Sequence, residues 1–202
     1  MAVTEKNLTT EQIYAAPVNG ILDLTIAANQ MASDGENPYE ARNAVILAEK
    51  KRQIIYKNGC TLAVGASILL NEAASNIRHS RKLSGNMHSA DKTLKRPKHT
   101  DAHHVVAAQD PRAKDAREIL IFIWLIGIND AANGIYMRRF PRSKVRGLSK
   151  CPPHQGEGHI HTNVYHLTVL ARLQLVFDQN ASIGRTVLRS IASEILAGTF
   201  PY

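Results

Sequence analysis

Asn133-Gly134, followed at once by Ile135-Tyr136-Met137, marks a tight turn running into a short strand. An Asn-Gly pair accepts the positive φ that such turns need, and β-branched and aromatic residues favour extended backbone. His103 to Ala107 reads as an earlier short strand, so the two outline a β-hairpin with a long insertion. Within the insertion, Pro111 to Leu125 reads as a helix, with Asp110 as N-cap, Pro111 in the first position and Gly127 as its end. The run Ile119 to Ile126 is rich in β-branched residues, and periodicity alone leaves a buried strand open there. Arg138 to Gly158 follows as a proline-containing basic loop, then helices over Thr162 to Gln179 and Ile183 to Ala197. The resulting order is strand, turn, strand, helix.

Upstream, helices are expected over Thr10 to Ala32, Pro38 to Lys57 and Thr61 to Ser80, with Asn58-Gly59 as a helix stop. Ser84 to Thr100 is polar and basic with Gly85 and Pro97, which reads as a linker or loop. The expected organisation is therefore a helical N-terminal region at 1–80 and a second domain at 81–202. The fold class is mainly α with a small β-hairpin. At 202 residues and 44% hydrophobic content, the chain supports one compact domain with a helical extension. Ile119 to Ile128 is about half the length of a membrane span and reads as core. The start MAVTEKNLTTEQ lacks a basic-then-apolar leader pattern, so a cytosolic protein or a leaderless export route is expected. Cys60 and Cys151 are the only cysteines, which argues against a thiolate zinc site. Any metal must sit on histidine and oxygen.

The net charge of +8 is unevenly spread. Residues 1–77 hold 6 Lys/Arg against 8 Asp/Glu, whereas residues 78–202 hold 19 against 9. Arg138, Arg139, Arg142, Lys144, Arg146 and Lys150 form one acid-free stripe. Arg78, Arg81, Lys82, Lys92, Lys95, Arg96 and Lys98 form a looser one, broken by Asp91. Such stripes favour a polyanion, because each phosphate contact releases condensed counterions. The plainer reading of charge alone is a soluble surface.

Six of the nine histidines, His103, His104, His154, His159, His161 and His166, fall before the second strand or around the start of the following helix. Phosphodiester hydrolysis needs a base for water, a cation at the phosphate, and a partner that fixes the base tautomer. Imidazole serves the first two needs and an asparagine amide the third. Successive strand residues face opposite ways, so His103 and His104 share one site only at a strand end or a distortion. Taken alone, a His-His pair is commonly a surface feature and Asn-Gly merely a turn.

Three runs in order, Thr100-Asp101-Ala102-His103-His104-Val105-Val106, Gly127 to Ile135, and His161-Thr162-Asn163-Val164-Tyr165, resemble the AHH nuclease domain over residues 85 to 180. That family belongs to the HNH/ENDO VII (His-Me finger) superfamily and occurs as C-terminal modules of bacterial polymorphic toxins and type VI secretion effectors. The resemblance implies a ββα-metal core binding one divalent ion (Mg, Mn, Zn or Ni). His104 matches the general base, and His103 a metal contact or site-shaping residue. Asn133 matches the residue that orients the base, and His161 the metal-ligand histidine. Tyr165, one turn on, buttresses the ligand or touches substrate, although a core-edge tyrosine is the plainer reading. Where the family often carries another histidine, this chain has Glu157; either Glu157 or, by preference, His159 supplies that ligand. His154 and His166 receive no role. The Arg138 to Lys150 stripe becomes a backbone clamp for nucleic acid, and Arg172, Arg185 and Arg189 are read as helix-surface charges.

The expected function is a metal-dependent endonuclease toxin cutting DNA in a competitor bacterium. By the resemblance, it starts in the producer cytoplasm, reaches the target cytoplasm by a leaderless route, and is restrained by a cognate immunity protein. The N-terminal region would dock to secretion or chaperone machinery. RNA is the alternative substrate, and a zinc-stabilised, non-catalytic nucleic-acid-binding protein is the alternative class. The basic second part argues against an immunity or adaptor protein.

Overall fold

In a computed structural model, the structure describes residues 55–62 and 64–202. The expected helices Thr10 to Ala32 and most of Pro38 to Lys57 lie outside the described residues. The compact unit begins at Ile55. Strands β1 (Tyr56–Lys57) and β2 (Cys60–Thr61) pair antiparallel across Asn58-Gly59, whose φ values of 50° and 76° are both positive. The dipeptide expected to stop a helix therefore closes a hairpin, because it supplies the positive φ that a two-residue connection requires. A Cβ on Gly59 would also lie 2.1 Å from the Asn86 carbonyl oxygen.

The expected helix Thr61 to Ser80 is shorter, running as α1 (Ala66–Ala74) and stopping at Ser75. A second helix, α2 (His79–Ala90), then enters the segment expected to be a linker. Tertiary burial overrides the poor local propensity of Ser84 and Gly85: Leu83 and Met87, one turn apart, pack against Ala102 and Tyr136. Each such buried side chain contributes roughly 1.5–3 kcal/mol.

The main hairpin forms between β3 (Thr100–His104) and β4 (Gly134–Arg138), antiparallel, with His103 opposite Ile135 and His104 opposite Gly134. Its first strand lies a few residues earlier than His103 to Ala107. The insertion starts as expected at Asp110, whose carboxylate accepts from the Arg112 amide with Pro111 next in line. It continues as a 3-10 turn, helix α3 (Lys114–Glu118) and a wide π-type turn over Ile119–Ile123. The helix reading of this apolar run therefore holds over the strand alternative, although the stop comes at Leu125, at φ 50°, before Gly127.

Helix α4 (Asn163–Gln174) is capped by the Thr162 hydroxyl and α5 (Ala181–Ala197) by the Asn180 carboxamide. Both pack their apolar faces on the hairpin and insertion, through Tyr165, Val169 and Leu173, and through Leu188, Ile191 and Ile195. Ile55, Leu69 and Ala73 belong to that same core. Arg185 is not a plain surface charge: it pairs at 3.0 Å with the fully buried Asp130, which also accepts from the Thr61 amide and hydroxyl. The architecture is mainly helical around two small antiparallel sheets, with β3, β4 and α4 forming a ββα unit. Among the described residues, no helix is long and apolar enough to cross a membrane.

Candidate active site

His103 and His104 occupy the last two positions of β3, where the ladder ends at Gly134. Their alternation sends them to opposite supports. His103 Nε2 lies 3.0 Å from the Tyr165 hydroxyl on α4, whereas His104 Nε2 lies 3.0 Å from Asn129 Oδ1 in the insertion. Both rings nonetheless border one cleft of about 410 Å³, together with Ile77, Arg78, His79, Asp110, His154 and His161.

His103, His154 and His161 each bring a donor atom within 4.8 Å of the other two. Their neighbours determine which ring nitrogens remain available. Burial holds the Tyr165 phenol well above its ordinary pKa, so it keeps its proton and donates it to the Val105 carbonyl at 2.7 Å. The oxygen must then accept from His103 Nε2–H, which leaves the His103 Nδ1 lone pair free. His154 Nδ1 lies 3.2 Å from Asp101 Oδ2, leaving Nε2. Carboxylate and hydroxyl partners of this sort fix ring orientation at metal sites. Burial first, and then the neighbouring imidazoles, hold His103 well below 6.5 and His161 at about 4. Burial also lowers His104 to about 4. Near neutral pH His103, His104 and His161 are therefore uncharged, and neutrality is what a ligating imidazole requires of His103 and His161. Three converging imidazoles, two of them oriented by a hydroxyl or carboxylate partner, suit one divalent cation of the transition series.

His159, expected as the third ligand, is exposed and outside this group. Its Nδ1 accepts from the His161 amide at 3.1 Å, and the two ring centroids are 6.0 Å apart. His154 stands in the group instead, because its loop returns beside the end of β4, with its amide bonded to the Arg138 carbonyl and that of Gln155 to Arg139. Glu157 is exposed on the same loop and makes no side-chain hydrogen bond or ion pair among the described residues. His166 Nε2 sits 3.3 Å from Asp110 Oδ2 without the alignment of a hydrogen bond.

The Asn133 side chain makes no hydrogen bond to His104. Its fully buried carboxamide accepts from the Val106 amide at 2.7 Å and donates to the Val106 and Ile128 carbonyls, pinning the strand exit to the insertion. The asparagine that reaches the imidazole is Asn129, itself fully buried. In the basic stripe, Arg138 bonds the Cys151 and Pro141 carbonyls and Arg139 pairs with Asp101. Arg142, Lys144, Arg146 and Lys150 make no side-chain hydrogen bond or ion pair among the described residues. Arg142 and Lys144 border a separate depression with His99 and Phe140. A further cleft, of about 470 Å³, adjoins the histidine cleft by sharing Arg78, Ser80, Ala102 and His154, and adds Arg81 and Arg96.

Sequence reasoning missed Asn129 and His154. Asn129 stands in the quoted Gly127 to Ile135 run, and His154 lies in the histidine cluster, but neither spacing marks its contact. A family model described as "a nuclease family of the HNH/ENDO VII superfamily with conserved AHH" matches residues 84–195, more than half of the chain. No curated protein and no solved structure gives a significant match.

Proposed function

The chain belongs to the AHH nuclease family of the HNH/ENDO VII superfamily, and on that premise we propose that it is a divalent-metal-dependent endonuclease acting on DNA. The observation that carries the reading is the convergence of His103, His154 and His161 beside His104 in one open cleft.

In this account His103, His154 and His161 would hold the ion, with Tyr165 and Asp101 orienting two of them. The ion would neutralise charge developing on the phosphate and the leaving oxygen. His104 is the general base: its Nε2 is engaged by Asn129, and its Nδ1 has no partner among the described residues. That lone pair takes a proton from a water whose oxygen bonds to phosphorus as the bond to the leaving sugar oxygen breaks. Asn133 holds the strand exit in register. Arg78 and Arg81 along the two adjoining clefts supply contacts to the phosphate backbone, with Arg142, Lys144, Arg146 and Lys150 extending the basic face.

The wider reading is an antibacterial effector, delivered by a leaderless route into a competitor's cytoplasm, restrained by an immunity protein, with residues 1–80 serving delivery or partner binding. It is supported by the family's occurrence in toxins. The test is plasmid and RNA degradation by the full chain with magnesium, manganese, zinc or nickel, beside His104→Ala. Loss of at least about a hundredfold in the variant is expected of a missing general base. A variant that cuts like its parent would overturn the assignment, and preference for RNA would change the substrate.

A further inference from the structure

Behind His104 lies a buried polar chain that reaches β1, α1 and the start of α2, where His79 also borders the cleft. Asn129 Oδ1 faces His104 Nε2, while Asn129 Nδ2 faces Glu72 Oε1 at 3.0 Å and His79 Nδ1 at 3.1 Å. His79 Nε2 lies 3.1 Å from the Ser75 carbonyl oxygen. Glu72 is only 6% exposed, yet three donors reach its carboxylate: the Tyr56 hydroxyl, Lys82 Nζ at 2.7 Å and Asn129.

Two groups of fixed polarity determine every proton in this chain. The Ser75 carbonyl can only accept, so His79 carries its proton on Nε2 and offers the Nδ1 lone pair to Asn129. The Glu72 carboxylate, paired with Lys82, also only accepts. Both therefore demand the amide NH2 of Asn129 on their side, which turns Oδ1 toward His104. A flipped amide would set Oδ1 against the Glu72 carboxylate and the His79 lone pair, leaving buried groups unsatisfied. Oδ1 in turn demands Nε2–H on His104, and the lone pair is left on Nδ1.

We infer that Glu72, acting through Asn129 and seconded by His79, is a positioning residue that holds His104 in the Nε2–H tautomer, with Nδ1 free for the water. Glu72, His79 and Tyr56 all precede residue 84, where the family match begins. The match alone thus omits the groups that set its base. Only the kinetic arm of the test rests on the nuclease reading.

The experiment uses the full chain. Long-range proton–nitrogen correlation spectra of the metal-free protein at neutral pH read the His104 tautomer in the parent and in Glu72→Gln, whose amide can face Asn129 either way. Circular dichroism checks the variant's fold, and plasmid cleavage gives kcat and KM. The expected results are Nε2–H in the parent, a tautomer mixture in the variant, and kcat lower by about tenfold or more with KM within about twofold. A parent His104 protonated on Nδ1 overturns the inference whether or not the variant folds. So does a folded Glu72→Gln chain that keeps either the Nε2–H tautomer or the parent's kcat. If the parent cuts neither DNA nor RNA, the nuclease reading fails, while the spectra still decide the tautomer.

Discussion

His104 Nε2 and Asn129 Oδ1 stand 3.0 Å apart at the buried end of β3, while Asn133, four residues on, is bonded only to backbone. The two asparagines thus divide the tasks of holding the His104 ring, the proposed base, and holding the strand. Asn133→Ala strands the Val106 amide and two carbonyls in a region without solvent. A loss of about 2–4 kcal/mol is expected in denaturant unfolding. A stability within 1 kcal/mol of the parent's would contradict this role.

The proposed metal site gives a direct contrast between two neighbouring histidines. His154→Ala should weaken zinc binding by at least about tenfold, and Asp101→Asn, which removes the His154 carboxylate, should do so to a similar or smaller degree. His159→Ala should leave affinity within about threefold of the parent's, since its ring stands outside the group. Calorimetric titration of the metal-free chain measures all three. Equal losses for His154→Ala and His159→Ala would contradict the ligand set.

Acid should destabilise the metal-free protein. Burial depresses His103, His104 and His161 below 6.5, so the unfolded chain binds protons that the folded chain refuses. Stability is therefore complete above about pH 6.5 and declines as pH falls toward about 4, the folded value of His104 and His161. His104 alone contributes on the order of 3 kcal/mol across that window. Urea midpoints between pH 7.5 and 4.5 check the sign; a rise on acidification would contradict it.

Substrate binding should depend on salt through the cations that border the clefts. Arg78→Ala with Arg81→Ala should lower the slope of log affinity for DNA against log salt by about 2, at roughly one counterion per phosphate contact. Arg139→Ala should leave that slope unchanged, because Arg139 is already paired with Asp101. Fluorescence anisotropy on a short duplex reads both slopes.

The ββα order, the Asp110 cap and the last helix were legible because each is written locally: a turn dipeptide, a capping residue, an amphipathic repeat. Residues 84–90 look like linker in the sequence because Ser84 and Gly85 carry no helical signal, while the burial of Leu83 and Met87 is a tertiary fact. In the sequence Asn58-Gly59 looks like a helix stop because the strands on either side have only two residues each. The site was legible as a cluster of histidines but not as the trio that converges. His154 and His159 are alike in sequence, and only the path of the loop beside β4 separates them. Glu72 had no signal at all, since one acid on an upstream helix reads as a surface charge until Tyr56, Lys82 and Asn129 are seen around it.

Crystals grown with zinc or manganese, and the anomalous signal of the ion, test the account at its centre. The ion is predicted on His103 Nδ1, His154 and His161, at about 2.1 Å from each nitrogen for zinc, with His104 unligated beside it. An ion held by His159 or Glu157, or placed away from the β3 histidines, would contradict it.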